Sequence, residues 1–492
     1  MKVAIGSMTR LGWLCACLAF SGLPAGVATA ASGAVYDLVI TGGRVIDPET
    51  NTDAVLNVAL SGGTITAVSA EPLKGRQTID ARGLVVAPGF IDLHQHAQDE
   101  ASGRLKALDG VTSALEMEIG VPDVQSFLHT KQGHALINYG TTASHAAARA
   151  LAFDAPLVPP SIIPPSGPAT NMVASPEQLA KMEQRLRSEL AAGALGVGMG
   201  LQYTPGATRA EVIETFRLAA QQHVPVFTHV RSAGRVEPGS SIEAVSEVIG
   251  AAAISGASLH IVHVNSSCMR DAVECVSMVA GARARGLDVT TEAYPYTAGM
   301  TEINSALFNS GWREKFGIDY DSLALPDTGE KLTRERFEEL HASPKPQAVL
   351  LYLNKQETVD TVIAEPLVMI ASDGEDGHPR NAGTYCRILS RYVRELRTVT
   401  LADAIRKMSL MPAQRLERST SEARHKGRLQ VGADADVVIF DPKTVADQAT
   451  YQAPRKPSVG MDYVLVGGTV VVDHGHVVEN RFPGRAILRT AK

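Results

Sequence analysis

Cysteine is scarce in this chain, five residues in 492. Cys15 and Cys17 fall within the first thirty residues; Cys268, Cys275 and Cys386 are an odd number and far too few to form a disulfide framework at this length. None of those three stands in a CxxC pair, which excludes cysteine zinc fingers. A predominance of one charge is also lacking. The net charge of -6 comes from interspersed acids and bases, with no basic block or aromatic-basic stripe, so nucleic acid is not an expected partner. The long apolar run is confined to the start, where Lys2 and Arg10 precede "LGWLCACLAFSGL" and "VATA" supplies Ala28 and Ala30. This pattern predicts a secretory signal peptide over residues 1–30, cut near Ala30, because the run is shorter than the roughly 20 residues a membrane span needs. The expectation is therefore an exported protein, periplasmic or secreted, with no stable membrane span.

Hydrophobic residues make up 45% of the chain, ample material for a large core. Two rhythms divide it. From Tyr36 to about Val86, short β-like runs alternate with Gly and Asp turns, and "GRLQVGADADVVIFDP" and "MDYVLVGGTVVVDHG" resume that pattern near the end. Residues 31–86 and 426–492 are expected to form one β-sandwich domain. Between them, over 87–425, eight buried-looking strands alternate with amphipathic helices: "GFIDLHQH", "TSALEMEIG", "ALINYGTTASH", "ALGVGMGLQY", "VPVFTHV", "ASLHIVHVN", "DVTTEAYPY" and "PLVMIASDG". Eight such units predict an α/β fold, a (β/α)8 TIM-like barrel whose reactive groups gather at the C-terminal ends of its strands. Residues from about 297 to 362 carry no clear strand and read as an insertion, a candidate lid.

The strand ends carry the chemistry. His94 and His96 lie two apart on the first strand, so the pleat points both into the barrel. His229 ends the fifth strand, His263 the sixth and Asp373 the eighth. Any one of these is commonly a hydrogen-bonded core residue; five converging on one water-poor mouth are costly unless a cation coordinates them. The set is rich enough for one or two zinc ions, two being favoured, and two ions need a bridging anion. The fourth strand has no lysine to serve. The second strand has Glu116 and Glu118 on one face, and Glu118, nearer the C-terminal end, is the expected bridge, with Glu116 packed behind it or itself coordinating. The metal set is then His94, His96, Glu118, His229, His263 and Asp373. His145, ending the third strand, is either structural or near the substrate, and Cys386 has no assigned role.

The motifs "PGFIDLHQH", "THVRS", "IVHVN", "YPYTAG", "SDG", "HPR", "GTYCRILSRYVRE" and "GRLQVGADADVVIFD" together make a pattern that resembles the amidohydrolase superfamily, specifically its D-aminoacylase (N-acyl-D-amino-acid deacylase) branch. The likeness spans nearly the whole mature chain. It implies metal-assisted hydrolysis of a small-molecule N-acyl amino acid, with Asp373 as the catalytic proton shuttle and Arg380 binding a substrate carboxylate. Tyr203 and Asn265 are candidates to line the same pocket. Two positions depart from the branch: Ile119, beside Glu118, stands where the branch has a bridging cysteine, and Asn265 stands where it tends to have a lysine that grips the substrate carboxylate. A dipeptidase or a cyclic-amide hydrolase of the hydantoinase or dihydroorotase kind would use the same metals. A metal-free binding protein would be expected to have lost ligands, and a zinc deaminase does not account for the "HPR" block.

Overall fold

Eight parallel strands form the centre of the computed structural model, which describes residues 34–155, 157, 163–234 and 236–490. The expected signal peptide lies outside the described residues. The strands are β1 (Phe90–Asp92), β2 (Val111–Val121), β3 (Asn138–Ser144), β4 (Val197–Gly200), β5 (Val226–His229), β6 (Leu259–Ile261), β7 (Val289–Ala293) and β8 (Val368–Ile370). Every residue of β2, β3, β5 and β7 is buried, as expected for strands covered on both faces. Each strand pairs with the next in chain order, and a parallel bridge between Gln95 and Gly374 brings the ends of β1 and β8 together. All eight expected strands are present.

Local signals set the flanking helices. Ser175 and Gln178 form a reciprocal capping box and Pro176 takes the first helical position of Pro176–Ala191. That helix stops at Ala192, followed by Gly193 at φ +115°. Thr208 caps Arg209–Gln221, its side chain accepting from the Glu211 amide.

The two chain ends build one nine-stranded sheet, sewn together where Val85–Pro88 pairs antiparallel with Val437–Phe440. It has its own core, including Ile40, Val58, Ile439 and Leu465.

The insertion differs from expectation. Residues 297–362 contain an antiparallel three-stranded sheet, Ala298–Glu302, Leu323–Ala324 and Ala348–Tyr352. Its strands are short and separated by turn-rich segments, so they show little of the alternation that betrays a strand in sequence. Helix Gln356–Ala364 belongs with the barrel, because Val359, Val362 and Ile363 enter the main core. The insertion packs Phe308, Trp312 and Phe337 together, and its core is continuous with Ile119 and Tyr203 of the barrel. It therefore roofs the C-terminal mouth.

Cys268 and Cys275 form a disulfide joining helix Val264–Cys268 to helix Ala272–Ala284, a pairing not expected from the cysteine count. Cys386 is a buried free thiol. Among the described residues no helix is long and apolar enough to cross a membrane.

Candidate metal centre

At the mouth of the barrel the paired histidines converge; the strand expected to carry them, β1, ends at Asp92, and His94 and His96 lie just past its C-terminal end. His94 Nε2 lies 3.1 Å from His96 Nε2, and Asp373 Oδ1 lies 3.4 Å from the first and 3.3 Å from the second. Donors held about 2.0–2.2 Å from a four-coordinate ion stand roughly 3.4 Å apart, so this triangle fits one cation. A second group of donor atoms comprises His94, Glu118 and His263.

Glu118 joins the two groups. Its Oε2 is 3.2 Å from both His94 Nε2 and His96 Nε2, while its Oε1 is 2.8 Å from His263 Nε2 and 2.7 Å from His229 Nδ1. One carboxylate thus divides its oxygens between two histidine pairs, the disposition a bridging ligand requires. The opposite edge of His229, Nε2, sits 2.6 Å from Gln202 Oε1. If Nε2 carries the hydrogen, it donates to that amide oxygen and leaves Nδ1 free as a ligand.

Glu116 does not bridge. Its Oε2 lies 2.6 Å from His96 Nδ1 and its Oε1 accepts the amide N–H groups of Ile119 and Gly120. Of the two roles open to it from sequence, it is the carboxylate packed behind, and its cationic partner is the His96 ring.

Glu292, in the middle of β7, does the same for His94, with Oε1 2.7 Å from Nδ1. Its other oxygen lies 3.0 Å from His260 Nε2, and His260 Nδ1 is 2.8 Å from Thr290 Oγ1. Both histidines of the opening motif therefore present Nε2 to the cavity because a buried carboxylate holds Nδ1. Glu292, His260 and Gln202 were missed in the sequence. The signal available was one isolated polar residue each, an acid in "VTTEA", a histidine in "LHI" and a glutamine just after β4, weaker than a pair spaced two apart.

The electrostatics call for positive charge. Burial alone would lower the His94 pKa, yet Asp373 and then Glu118 outweigh it and the ring is pushed up to about 10. Burial would raise the Asp373 carboxyl, but Arg380 and then His94 hold it well below the usual carboxylate range. Glu118 is likewise held low against burial, by His94, His229 and His263. Without a metal the cluster must recruit protons to neutralise its carboxylates, and a divalent cation serves the same purpose. The donor set of imidazoles and carboxylates suits zinc among other first-row ions.

The backbone concedes strain here. His263 has φ +29° and Asp373 φ +53°, left-handed values that non-glycine residues avoid. Gly374, next to Asp373, touches Gln95 so closely that a Cβ would lie 2.1 Å from its Oε1.

A cavity of about 550 Å³ opens over these groups, lined by His96, Glu118, His229, His263, Asp373 and Tyr203. Apolar side chains of the insertion, Met300, Leu307, Phe316 and Leu351, form its far wall. Glu375 also lines it, its carboxyl pushed up to about 7 by burial.

The three residues expected to contact substrate fare differently. Tyr203 lines the cavity, accepts a hydrogen bond from Thr301 Oγ1 and meets the His229 ring edge-on. Arg380 is wholly buried behind Asp373 and is not among the residues that line the cavity; its Nη1 is 2.7 Å from Asp373 Oδ2 and its guanidinium lies over the Tyr294 ring. That contact is an ion pair and not an aligned hydrogen bond, since none of its three nitrogens has a hydrogen-bond partner. Asn265 departs from expectation: its amide donates to Tyr294 O and accepts from Tyr294 N, and the residue does not line the cavity. It ties β6 to the end of β7. His145 is also structural, paired with Glu211, which a buried Arg149 clamps from the other side.

Comparison with known proteins agrees with this geometry. Residues 77–472 match the model described as the amidohydrolase family. The chain is 30% identical to N-acyl-D-glutamate deacylase of Alcaligenes xylosoxydans xylosoxydans, covering 92% of this chain and 97% of that protein. It is 27% identical to D-aminoacylase of the same organism over 93% of this chain and 98% of the relative. The crystal structure of N-acyl-D-glutamate deacylase from Bordetella bronchiseptica, complexed with zinc and a phosphonate mimic of the tetrahedral intermediate, superposes with a TM-score of 0.77. The two share 25% sequence identity, over 93% of this chain and 100% of that one. By its sequence match, its barrel and its clustered histidines and carboxylates, this chain belongs to the amidohydrolase family.

Proposed function

We propose that this protein is a zinc-dependent deacylase of N-acyl amino acids, favouring the D series, and that it holds two zinc ions. The observation that carries the reading is the division of the Glu118 oxygens between the His94–His96 pair and the His229–His263 pair, with Asp373 beside the first. The names of the two curated relatives supply the substrate class.

Zinc held by His94, His96, Glu118, His229, His263 and Asp373 would supply Lewis acidity, which lowers the pKa of a water toward 7 and polarises a carbonyl. Asp373 takes the proton of the attacking water at Oδ1, the oxygen turned toward His94 and His96, while Arg380 holds Oδ2. It hands that proton to the amide nitrogen as the carbon–nitrogen bond breaks, because without it the nitrogen would have to leave as an amide anion and with it leaves as a neutral amine. Arg380, charged and without an aligned acceptor, sits behind Asp373, and to meet a substrate carboxylate its guanidinium would have to turn toward the cavity. Tyr203 and the apolar wall of the insertion shape the rest of the cavity and exclude water.

The reading includes export. The leader over residues 1–30 supports it, and so does the Cys268–Cys275 disulfide, a bond that persists in oxidising compartments.

Zinc analysis of purified protein, combined with a panel of N-acyl-D-amino acids, N-acyl-L-amino acids, dipeptides and hydantoins, tests the proposal. Two zinc ions per chain and turnover confined to N-acyl amino acids are expected. Turnover of hydantoins or dipeptides alone would replace it with a neighbouring activity on the same scaffold.

A further inference from the structure

The opposite, N-terminal end of the barrel holds a second cavity of about 480 Å³, reached from the starts of β7 and β8 through Asp288, Thr290 and Met369. Five arginines line it: Arg283, Arg406, Arg415, Arg418 and Arg424. The carboxylates lining it are two, Asp288 and Glu417. Asp288 is taken by Arg415, at 3.1 Å, and Arg418, at 2.9 Å. Glu417 is engaged by Arg428, at 2.7 Å.

Three guanidiniums are therefore left without a carboxylate. Arg283 donates to Val289 O, Arg406 reaches only Met411 Sδ, and Arg424 stands exposed at the rim. Like charges gathered in a concave surface repel one another and concentrate counter-ions, so the arrangement favours an occupant of negative charge. A second observation points the same way. Arg415 is 3% exposed, and its Nε is buried with no hydrogen-bond partner. A buried guanidinium N–H is expensive to leave unmade, and a ligand oxygen is what would satisfy it.

We propose that this arginine-lined cavity is a binding site for a small phosphate-bearing anion, separate from the metal centre at the other end of the barrel. Planar guanidiniums match the paired oxygens of phosphate, and a cavity of this size admits a small molecule and no macromolecule.

The test titrates inorganic phosphate into the zinc-loaded protein by calorimetry at fixed ionic strength, comparing the wild type with Arg406→Gln and Arg424→Gln. The wild type is expected to show a submillimolar event that weakens at least about tenfold in each variant, with amide-hydrolysing turnover unchanged. An isotherm untouched by both substitutions would place phosphate at the metals alone and overturn the site. So would the absence of binding, or an event that chloride at equal ionic strength abolishes as readily. Vesicles containing phosphatidylglycerol form the second arm: binding to them in place of free phosphate would make the cavity a headgroup contact and contradict a soluble ligand.

Discussion

At the scale of single residues, three carboxylates that look alike in the sequence do different work. Glu118 touches four imidazoles, Glu116 holds the back of His96, and Glu292 holds the back of His94 and also reaches His260. Glu118→Gln leaves an amide where an anion must bridge, and zinc content is expected to fall from two ions toward one. Glu292→Gln keeps the shape but removes the charge behind His94, the histidine common to both donor groups. Competition against a chelator should show zinc affinity lower by about 10–100-fold; affinity within twofold of the wild type would make Glu292 a mere core residue. Asp373→Asn is expected to retain both ions yet lose about 10²–10⁴ in kcat, as removal of a proton shuttle does. Wild-type rates in that variant would remove Asp373 from the mechanism. What the sequence disclosed at this scale was the pairs His94–His96 and Glu116–Glu118 and the single strand-end residues His229, His263 and Asp373. Histidines or acids spaced two apart announce a shared face, but Glu292, His260 and Gln202 stand singly, and their partners are brought from distant strands by closure of the barrel.

At the scale of elements, the site depends on how loops leave the strands. The disulfide joins the short helix that begins right after His263 to the next helix, and Ser267 Oγ lies 2.9 Å from His263 Nδ1 on that same helix. Closing so small a loop is worth about 2–3 kcal/mol in the chain-entropy account. Cys268→Ser with Cys275→Ser should lower the denaturant midpoint accordingly while His229, His94 and His96 keep their places. A second joint is Gly374, whose carbonyl accepts the amides of His96 and Ala97. Gly374→Ala forces a Cβ against Gln95 and is expected to loosen metal binding far more than a change at a half-buried glycine with open space, such as Gly103→Ala, where nothing lies within 4 Å. The barrel strands were legible because eight buried-looking segments recur along the chain, several of them separated by amphipathic helical patterns. The insertion sheet was not, since its two-residue and five-residue strands gain their pairing from tertiary contact with one another, and the Cys268–Cys275 bond was hidden by a count that gave no framework.

At the scale of the whole molecule, one chain folds two ends into a shared sheet and encloses a barrel whose mouth is a sink for cations. This predicts an unusual pH response for the metal-free protein. The His94 pKa is raised in the folded state, from 6.5 to about 10, so its contribution to stability is complete below 6.5 and is lost as pH rises through 10. Glu292, held down to about 2, behaves oppositely: its contribution is present above 4.5 and lost as pH falls through 2. Chelator-treated protein should therefore lose thermal stability from neutral pH toward pH 10. Zinc replaces the proton on His94, so the gap in Tm between zinc-loaded and chelated protein should widen over the same interval; a gap that narrows would show that the histidine cluster is not where zinc acts. The most direct measurement of the central claim is anomalous diffraction at the zinc edge from crystals of the purified protein. Two peaks are predicted, one among His94, His96 and Asp373 and the other beside His263 and His229, with Glu118 between them. Peaks elsewhere, or none at these side chains, would contradict the account.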